Sequence, residues 1–367
     1  MAGLQHLRSS SFYEGGDNGR AYKISYNRPM NSRGGPDGRD FYFANEYPMV
    51  RFLEQNGYDV SYISGLDTDR SGSLLLNHKV FLSVGHDEYW SGPQRANVAA
   101  ARDAGVNLQF LSGNEMYWRT RFEPSIVDGA AGRTLTSYKE TWSNGKIDPP
   151  SPQWTGTWRD PRFASQANGG GLPENGLTGT LYMSNYSDLP VTVSSEEGKT
   201  RLWRNTTLAS LPAGSSAALA PHTVGYESNE DIDNGFRPAG LIRLSTTVGS
   251  VAEYLQDYGN TVKPGTTTHN VTLYRAASGA LVFSAGSVQW TWGGLDQEHD
   301  GNGGAPADPR MRQAQVNLLA DMGAQPASRA AGLVAAAASS DRTAPTVAVT
   351  APPANGATIP PMAAKSQ

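Results

Sequence analysis

A strand, a helix and a second strand follow one another between residues 79 and 111, and this pattern limits the possible folds more than any other. Val80–Val84 is a short apolar run that predicts a strand buried on both faces. Residues 91–102 predict a helix, with Pro93 in its first turn and Gly105 just past its end. Residues 106–111 predict the next strand. Because strands joined by a crossover helix lie parallel, the chain predicts a doubly wound α/β unit.

Polar side chains follow both strands at the point where each strand ends. His86, Asp87 and Glu88 come directly after Gly85, and Asn114 follows the second strand. Since the carboxyl ends of parallel strands open on one edge of a sheet, we expect these side chains to lie close together. His-x-Glu spacing puts an imidazole and a carboxylate on the same side of an extended segment, which suits metal ligands or an acid/base pair. The alternative is a loop whose acids cap the following helix, beside a packed His86 and an Asn114 of positive φ.

Each candidate residue suits a particular chemical role. Glu88 is expected to be an oxygen ligand for a hard metal such as iron, manganese or magnesium, and His86 a further ligand or a residue that orients the site. Asn114 can hydrogen-bond a carbonyl oxygen as it becomes anionic. Two isolated polar residues at later predicted strand ends complete the set: Lys139 can stabilise negative charge, and Glu227 can act as general base.

Composition excludes several classes of function. The 367-residue chain has a formal net charge of −4 and no run of Lys or Arg, which argues against a nucleic-acid partner. It contains no cysteine, so a Cys nucleophile and thiolate metal sites are excluded. Ser112 is not in a Gly-x-Ser-x-Gly setting, which makes a metal-activated water a more natural nucleophile than a side chain. No apolar run reaches membrane-spanning length, and the N-terminus lacks a signal-peptide core.

The rest of the chain divides into three predicted regions. The sequence of residues 1–20 predicts neither a helix nor a strand, and residues 21–323 are expected to form one α/β domain. Within it, a helix is predicted over residues 42–55, a strand over 58–63, β-rich insertions from about residue 134, and a final helix over 309–322. Residues 324–367 read as an Ala/Pro-rich linker and the incomplete start of a further β module.

Six motifs, in order along the chain, carry a resemblance to a known family. Together they resemble the C-terminal region of the N,N-dimethylformamidase large (beta) subunit family, over about residues 13–322. The motifs are Ser25-Tyr-Asn-Arg-Pro29, Glu46-Tyr-Pro48, Gly57-Tyr-Asp-Val60, Gly85-His-Asp-Glu-Tyr-Trp90, Ser112-Gly-Asn-Glu115 and Asp233-Asn-Gly-Phe-Arg-Pro-Ala-Gly240. No single motif is specific, but the ordered set is.

The resemblance implies a fold and a metal. It implies an amidotransferase-like doubly wound parallel sheet, elaborated by β-rich insertions in the second half, and a mononuclear iron held by two tyrosinates and a glutamate, with no organic cofactor. Carried over by motif, Glu88 is the glutamate ligand, Tyr26 is one tyrosine ligand and Tyr47 its alternative. The other tyrosine lies upstream in relatives, where residues 1–12 of this chain do not match, so we expect the metal site to lack one ligand.

Two functions of different classes follow from these observations. The first is an iron-dependent hydrolase of a C–N bond in a small linear amide, working with a small partner subunit or as a homo-oligomer. The alternative is a non-catalytic binding module of a larger secreted or surface protein, with carbohydrate as its expected ligand, which the Trp-rich loops and the C-terminal linker favour. That linker is also the only reason to expect a secreted or cell-surface location.

Overall fold

The structure is a computed structural model that describes residues 11–13, 19–28, 42–149, 151–291, 295, 307–341 and 343. Its strands are β1 (Lys23–Ser25), β2 (Val80–Val84), β3 (Tyr89–Ser91), β4 (Asn107–Leu111), β5 (Trp118–Glu123), β6 (Thr134–Thr136), β7 (Leu181–Leu189), β8 (Thr192–Ser194), β9 (Ser216–Ala218), β10 (Val224–Glu230), β11 (Ile242–Leu255), β12 (Val262–Arg275) and β13 (Leu281–Ser284). Its helices are α1 (Tyr42–Asn45), α2 (Tyr47–Gln55), α3 (Gly65–Arg70), α4 (Gly92–Asp103), α5 (Glu140–Ser143), α6 (Asn175–Thr178), α7 (Ser195–Gly198) and α8 (Pro309–Asp321). Short 3₁₀ turns cover Gly72–Asn77, Gln166–Asn168, Arg201–Trp203 and Thr207–Ser210.

The main sheet has seven strands in the order β10-β7-β11-β12-β13-β4-β2. Within it, β13, β4 and β2 pair parallel, whereas the other neighbours pair antiparallel. The predicted amidotransferase-like doubly wound parallel sheet is therefore wrong. The described fold is a mixed, sheet-rich one with 24% helix, 28% strand and several sheets.

Two features of the chain explain this correction. β11 and β12 are strands of 14 residues each, and a short turn joins them, so they must pair antiparallel. The stretch predicted as a strand at residues 58–63 is not part of any sheet. The predicted strand–helix–strand unit is nevertheless present. Strands β2 and β4 pair parallel, with Val80 opposite Asn107 and Val84 opposite Leu111, and α4 connects them.

Smaller sheets lie beside the main one. A four-stranded sheet has the order β1-β6-β5-β3, in which β3 and β5 run parallel, and β8 pairs with β9 in a two-stranded sheet. The predicted helix at residues 42–55 is interrupted at Glu46, which separates α1 from α2. Of the predicted β module near the C-terminus, residues 344–356 lie outside the described part of the chain.

Alternate residues of the parallel strands face two separate hydrophobic cores. Leu108 and Phe110 of β4 pack with Val98 of α4 on one face, whereas Leu111 packs on the other face with residues of α2 and α8. Helix α4 begins where the sequence predicts, because the Ser91 side chain accepts a hydrogen bond of 3.1 Å from the Gln94 backbone N–H. This two-sided burial holds the carboxyl ends of β2 and β4 rigidly side by side.

Phe110 offers a direct test of this core. Its side chain is fully buried and lies beside Trp90, with the ring centroids 6.3 Å apart. Truncation leaves a cavity between rigid neighbours, so Phe110→Ala should lower the free energy of unfolding by about 3–5 kcal/mol in urea denaturation. Val248→Ala, at a β11 position that is 63% exposed, should change it by less than about 1 kcal/mol. Equal effects would contradict the assignment of Phe110 to the core.

Candidate functional site

The turns that follow β2 and β4 are hydrogen-bonded to each other. The Gly85 N–H donates to the Leu111 carbonyl at 3.0 Å, and the Met116 N–H donates to the Asp87 carbonyl at 2.9 Å. The Trp118 N–H donates to the Glu88 carbonyl at 2.8 Å. Gly85 takes a φ of 71°, which turns the chain sharply after β2. The two predicted strand ends therefore form one backbone framework.

Gly113 lets the second turn approach strand β10. A Cβ on Gly113 would lie 2.3 Å from the Glu227 backbone oxygen, a contact that real side chains do not make. The next residue, Asn114, has a φ of 78°, a left-handed conformation that asparagine tolerates better than most residues. Its backbone N–H donates to Asn229 Oδ1 at 2.9 Å. Close approach and left-handed backbone together direct the Asn114 side chain between β2 and β10.

The Asn114 carboxamide joins two carboxylates. Its Nδ2 donates to Glu227 Oε1 at 2.7 Å and to Glu88 Oε2 at 3.2 Å. Asn114 is 3% exposed, and its Oδ1 has no hydrogen-bond partner among the described residues. The structure thus brings together residues that are 139 positions apart in the chain. It also leaves one amide oxygen ready to accept a further donor or a cation.

His86 contacts the same carboxylate from another side. Its Nδ1 lies 3.7 Å from Glu227 Oε2, and its Nε2 lies 3.4 Å from the Tyr226 hydroxyl. Tyr226 and Glu227 are consecutive on β10, and the pairing of β10 with β7 shifts register between Tyr226 and Ser228. Such an irregularity lets neighbouring side chains reach one site. Tyr226 was not predicted, and nothing in its local sequence distinguishes it.

Tyr13 and Lys139 close the site next to Glu88. The Tyr13 hydroxyl contacts Glu88 Oε1 directly. Lys139 Nζ lies 3.6 Å from the Tyr13 ring centroid and within 5.3 Å of three other aromatic rings. Lys139 is fully buried and its Nζ has no hydrogen-bond partner among the described residues. The rings, which belong to Tyr13, Tyr89, Trp118 and Trp142, therefore hold the amine mainly by cation–π contact.

Burial shifts the pKa values of Glu88 and Lys139. Desolvation raises the pKa of Glu88, and the charge of Lys139 and the Asn114 hydrogen bond oppose that shift. Desolvation lowers the pKa of Lys139, while Glu88 and Glu227 raise it and Arg20 lowers it further. The carboxyl and the amine are consequently both brought toward neutral pH, where a proton can move with little cost.

A second layer supports Asn114 from behind. Asn229 Oδ1 accepts from the Asn114 backbone, while Asn229 Nδ2 donates to Glu115 Oε2 at 2.9 Å and to Thr180 Oγ1 at 3.0 Å. Glu115 is fully buried, and desolvation raises its pKa to about 8. Burial therefore favours the neutral, protonated form of Glu115, whose carboxyl oxygen accepts from Asn229.

The structure places the two predicted tyrosine ligands as follows. Tyr26 is 41% exposed just after β1, with its ring 6.2 Å from that of Phe122. Tyr47 begins α2 and packs its ring against Phe43 and Tyr42. Tyr13 is the residue whose hydroxyl meets Glu88, and sequence reasoning did not assign it a role. Its 75-residue separation from Glu88 explains this, because no local pattern reports such a contact.

The donors that could hold a metal here are oxygens. In the described part of the chain, no group of three or more His, Asp or Glu side chains is placed to bind a metal ion. A metal at this site would therefore need phenol or amide oxygens beside Glu88. Tyr13 supplies a phenol in contact with Glu88, and Asn114 Oδ1 supplies an unpaired amide oxygen. This set suits a hard cation.

The geometry defines a protein whose candidate site combines two carboxylates, an imidazole, an amide and an amine at the edge of a mixed sheet. The chain belongs to the N,N-dimethylformamidase beta subunit-like family: the model of that family's C-terminal region matches residues 5–302. This match confirms the resemblance seen in the motifs. Membership supports a hydrolase of the amidase type in general, and a subunit of a complex. No curated protein matches the chain.

Among the helices that the structure describes, none is both long and apolar enough to cross a membrane.

Gly113→Ala tests the close approach of the β4 turn to β10. The added Cβ would meet the Glu227 carbonyl, so the turn must shift and lengthen the Asn114–Glu227 hydrogen bond. We expect a loss of about 1–3 kcal/mol in the free energy of unfolding, measured in urea. The matched control is Gly145→Ala, whose nearest neighbour would be 3.8 Å from the new Cβ, and it should be nearly neutral. An equally stable Gly113→Ala protein would refute the contact.

Glu115→Gln tests the buried neutral acid. Because the folded-state pKa is raised from 4.5 to about 8, the folded protein holds a proton that the unfolded chain releases over this range. This contribution to stability is fully present below pH about 4.5 and is lost as pH rises to about 8. As pH rises from about 4.5 to about 8, the Tm of the wild type should therefore fall relative to the Tm of Glu115→Gln. A pH-independent difference would mean that Glu115 is charged in the fold.

Proposed function

We propose that this chain is a dimethylformamidase-like subunit that hydrolyses the C–N bond of a small linear amide, with Glu88 at the centre of its site. The observation that carries the proposal is the Asn114 carboxamide, which bonds both Glu88 and Glu227 while Tyr13 contacts Glu88. Amide hydrolysis needs a polarised carbonyl, a water and a base, and these groups can supply them. Family membership supports the same class of reaction.

We further propose iron as the metal, held by Glu88 and Tyr13. The unpaired, buried Asn114 Oδ1 and the contact of a phenol with a carboxylate fit a hard cation, since such ions prefer oxygen ligands. Tyr89 is a candidate for a second phenol, because its ring lies 6.2 Å from that of Tyr13 and its buried hydroxyl has no hydrogen-bond partner among the described residues. When bound, iron would supply Lewis acidity toward the amide carbonyl. The Lys139 ammonium beside the Tyr13 ring favours the phenolate that such binding needs.

The remaining residues have roles that follow from their contacts. Glu227 is the general base for water, because its carboxylate faces the site and is held by Asn114 Nδ2 and flanked by His86. His86, whose Nδ1 lies 3.7 Å from Glu227 Oε2, can receive this proton from Glu227 and pass it to the departing amine, with Tyr226 orienting its ring. The aromatic rings around Lys139 exclude water from one side of Glu88 and suit an uncharged substrate. We also propose that the chain works in a complex with a small partner subunit, since its family is that of a beta subunit.

The tryptophans give little support to the alternative of a carbohydrate-binding module. Of the seven described tryptophans, Trp90, Trp118, Trp154, Trp158, Trp203 and Trp290 are at most 2% exposed. Trp142 is 40% exposed, but its indole N–H donates to the Gly259 carbonyl and its ring packs over Lys139. A sugar-binding platform needs exposed rings, which the described tryptophans do not provide.

The ligand assignment can be tested by colour and metal content. Purified protein should contain iron by elemental analysis and show a visible band from phenolate-to-iron charge transfer. Glu88→Ala should lose both, because the anionic oxygens supply most of the affinity for a hard cation. Tyr13→Phe should lose or strongly shift the band. Tyr26→Phe and Tyr47→Phe are matched controls that should leave it unchanged; loss of the band in either control, with retention in Tyr13→Phe, would reverse the assignment.

The base assignment can be tested by the rate of amine release from dimethylformamide. Glu227→Gln keeps the shape of the side chain but removes the base, so kcat should fall by roughly 10²–10⁴-fold, whereas the iron content should be nearly unchanged. Glu196→Gln, at a side chain that is 62% exposed, is the control and should retain full activity. Full activity of Glu227→Gln would exclude it as the base.

A further inference from the structure

A polar cavity lies at the end of β2, beside the proposed site around Glu88. It has a volume of about 220 Å³, and Glu46, Ser83, Asp87 and Gln94 contribute polar groups to its lining. His86 also borders it, but Glu88, Asn114 and Glu227 do not. The Asp87 carboxylate accepts from Ser83, whereas the Glu88 carboxylate is bonded to Tyr13 and Asn114. The cavity is therefore distinct from the site around Glu88, and it does not depend on the function proposed above.

Two carboxylates face this cavity. Glu46 precedes α2 and lies against the turn after β2, where a Cβ on Gly85 would be 3.3 Å from Glu46 Oε1. Asp87 is held by the Ser83 hydroxyl, which donates to Asp87 Oδ2 at 2.6 Å. The described lining residues include no Lys or Arg. Two negative groups thus share one small space without a cationic side chain in its walls, an arrangement that is costly unless a cation or protons neutralise it.

An independent observation on α4 also points to a ligand. Gln94 is 3% exposed and lines the cavity, and its Oε1 is buried without a hydrogen-bond partner among the described residues. The oxygen lies beside Gly65, another lining residue, where a Cβ would be 3.5 Å away. Buried carbonyl oxygens in folded proteins almost always have a partner. A cation in the cavity would satisfy this amide oxygen and both carboxylates together.

We propose that the cavity binds one hard divalent cation, Mg²⁺ or Ca²⁺, through Glu46, Asp87 and Gln94 Oε1. Both ions take oxygen ligands, and Mg²⁺ in particular keeps several waters when only one or two carboxylates bind it. A cavity of about 220 Å³ has room for the ion and several waters. The ion would link the start of α2, the turn after β2 and the first turn of α4. Its role is to fix the segment that carries His86 and Glu88, not to take part in the reaction.

The test is calorimetric titration of the full chain, freed of metal by a chelator, with MgCl₂ and with CaCl₂, together with the Tm in each salt. We expect one site per chain for at least one ion, and a Tm that rises with its concentration. Glu46→Gln and Gln94→Leu should each weaken binding by tenfold or more. Glu54→Gln, an exposed acid on the same helix, should bind like the wild type. Glu88→Gln and Tyr13→Phe should also bind normally, because they belong to the other site.

Two results would overturn the proposal. One is a wild-type protein that binds neither ion. The other is binding that survives in Glu46→Gln and Gln94→Leu but disappears in Glu88→Gln, which would place the ion at the Tyr13–Glu88 site. Circular dichroism of each variant checks that loss of binding is not loss of the fold. Asp87→Asn should also weaken cation binding by tenfold or more. If Asp87→Asn does not fold, the binding measured for Glu46→Gln, at a partly exposed position, tests the site instead.

Discussion

The Asn114 carboxamide holds two carboxylates to one nitrogen, and the arrangement of the site depends on it. Glu88 and Glu227 repel each other when both are charged, and water is largely excluded around them. The two N–H groups of Asn114 offset part of that repulsion, and the buried amine of Lys139 offsets more. The site therefore stores negative charge that favours binding of a cation, and it holds protons that can move near neutral pH.

Backbone contacts and the packing of the parallel strands bring these groups together. The turn after β4 touches the β10 backbone where only glycine fits, at Gly113, and the turn after β2 is hydrogen-bonded to the same framework through Gly85. The parallel strands are fixed because both of their faces are buried. The antiparallel strand β10 then delivers Glu227 across from Glu88. The mixed character of the sheet is thus what places Glu227, the proposed base, opposite Glu88, the proposed ligand.

The local parts of this arrangement could be predicted, and the distant parts could not. Apolar runs and helix signals predicted β2, α4 and β4, and polar residues at strand ends indicated His86, Glu88 and Asn114, because these patterns act over a few residues. The doubly wound parallel sheet was mispredicted, since the later strands join the main sheet through the long antiparallel hairpin of β11 and β12. Tyr13, Tyr226 and Asn229 were missed because their contacts join segments far apart in sequence, where no periodicity reports the distance.

We propose that oxygens of Tyr13 and Glu88 meet at one cation beside Asn114. Anomalous diffraction at the iron absorption edge, from crystals of the full chain, measures this most directly. We expect a single strong peak within bonding distance of Tyr13 Oη and a Glu88 carboxylate oxygen, with Glu227 close by but not bonded to the metal. An iron peak bound instead by Tyr26 or Tyr47, or no peak near Glu88 in protein shown to contain iron, would contradict it.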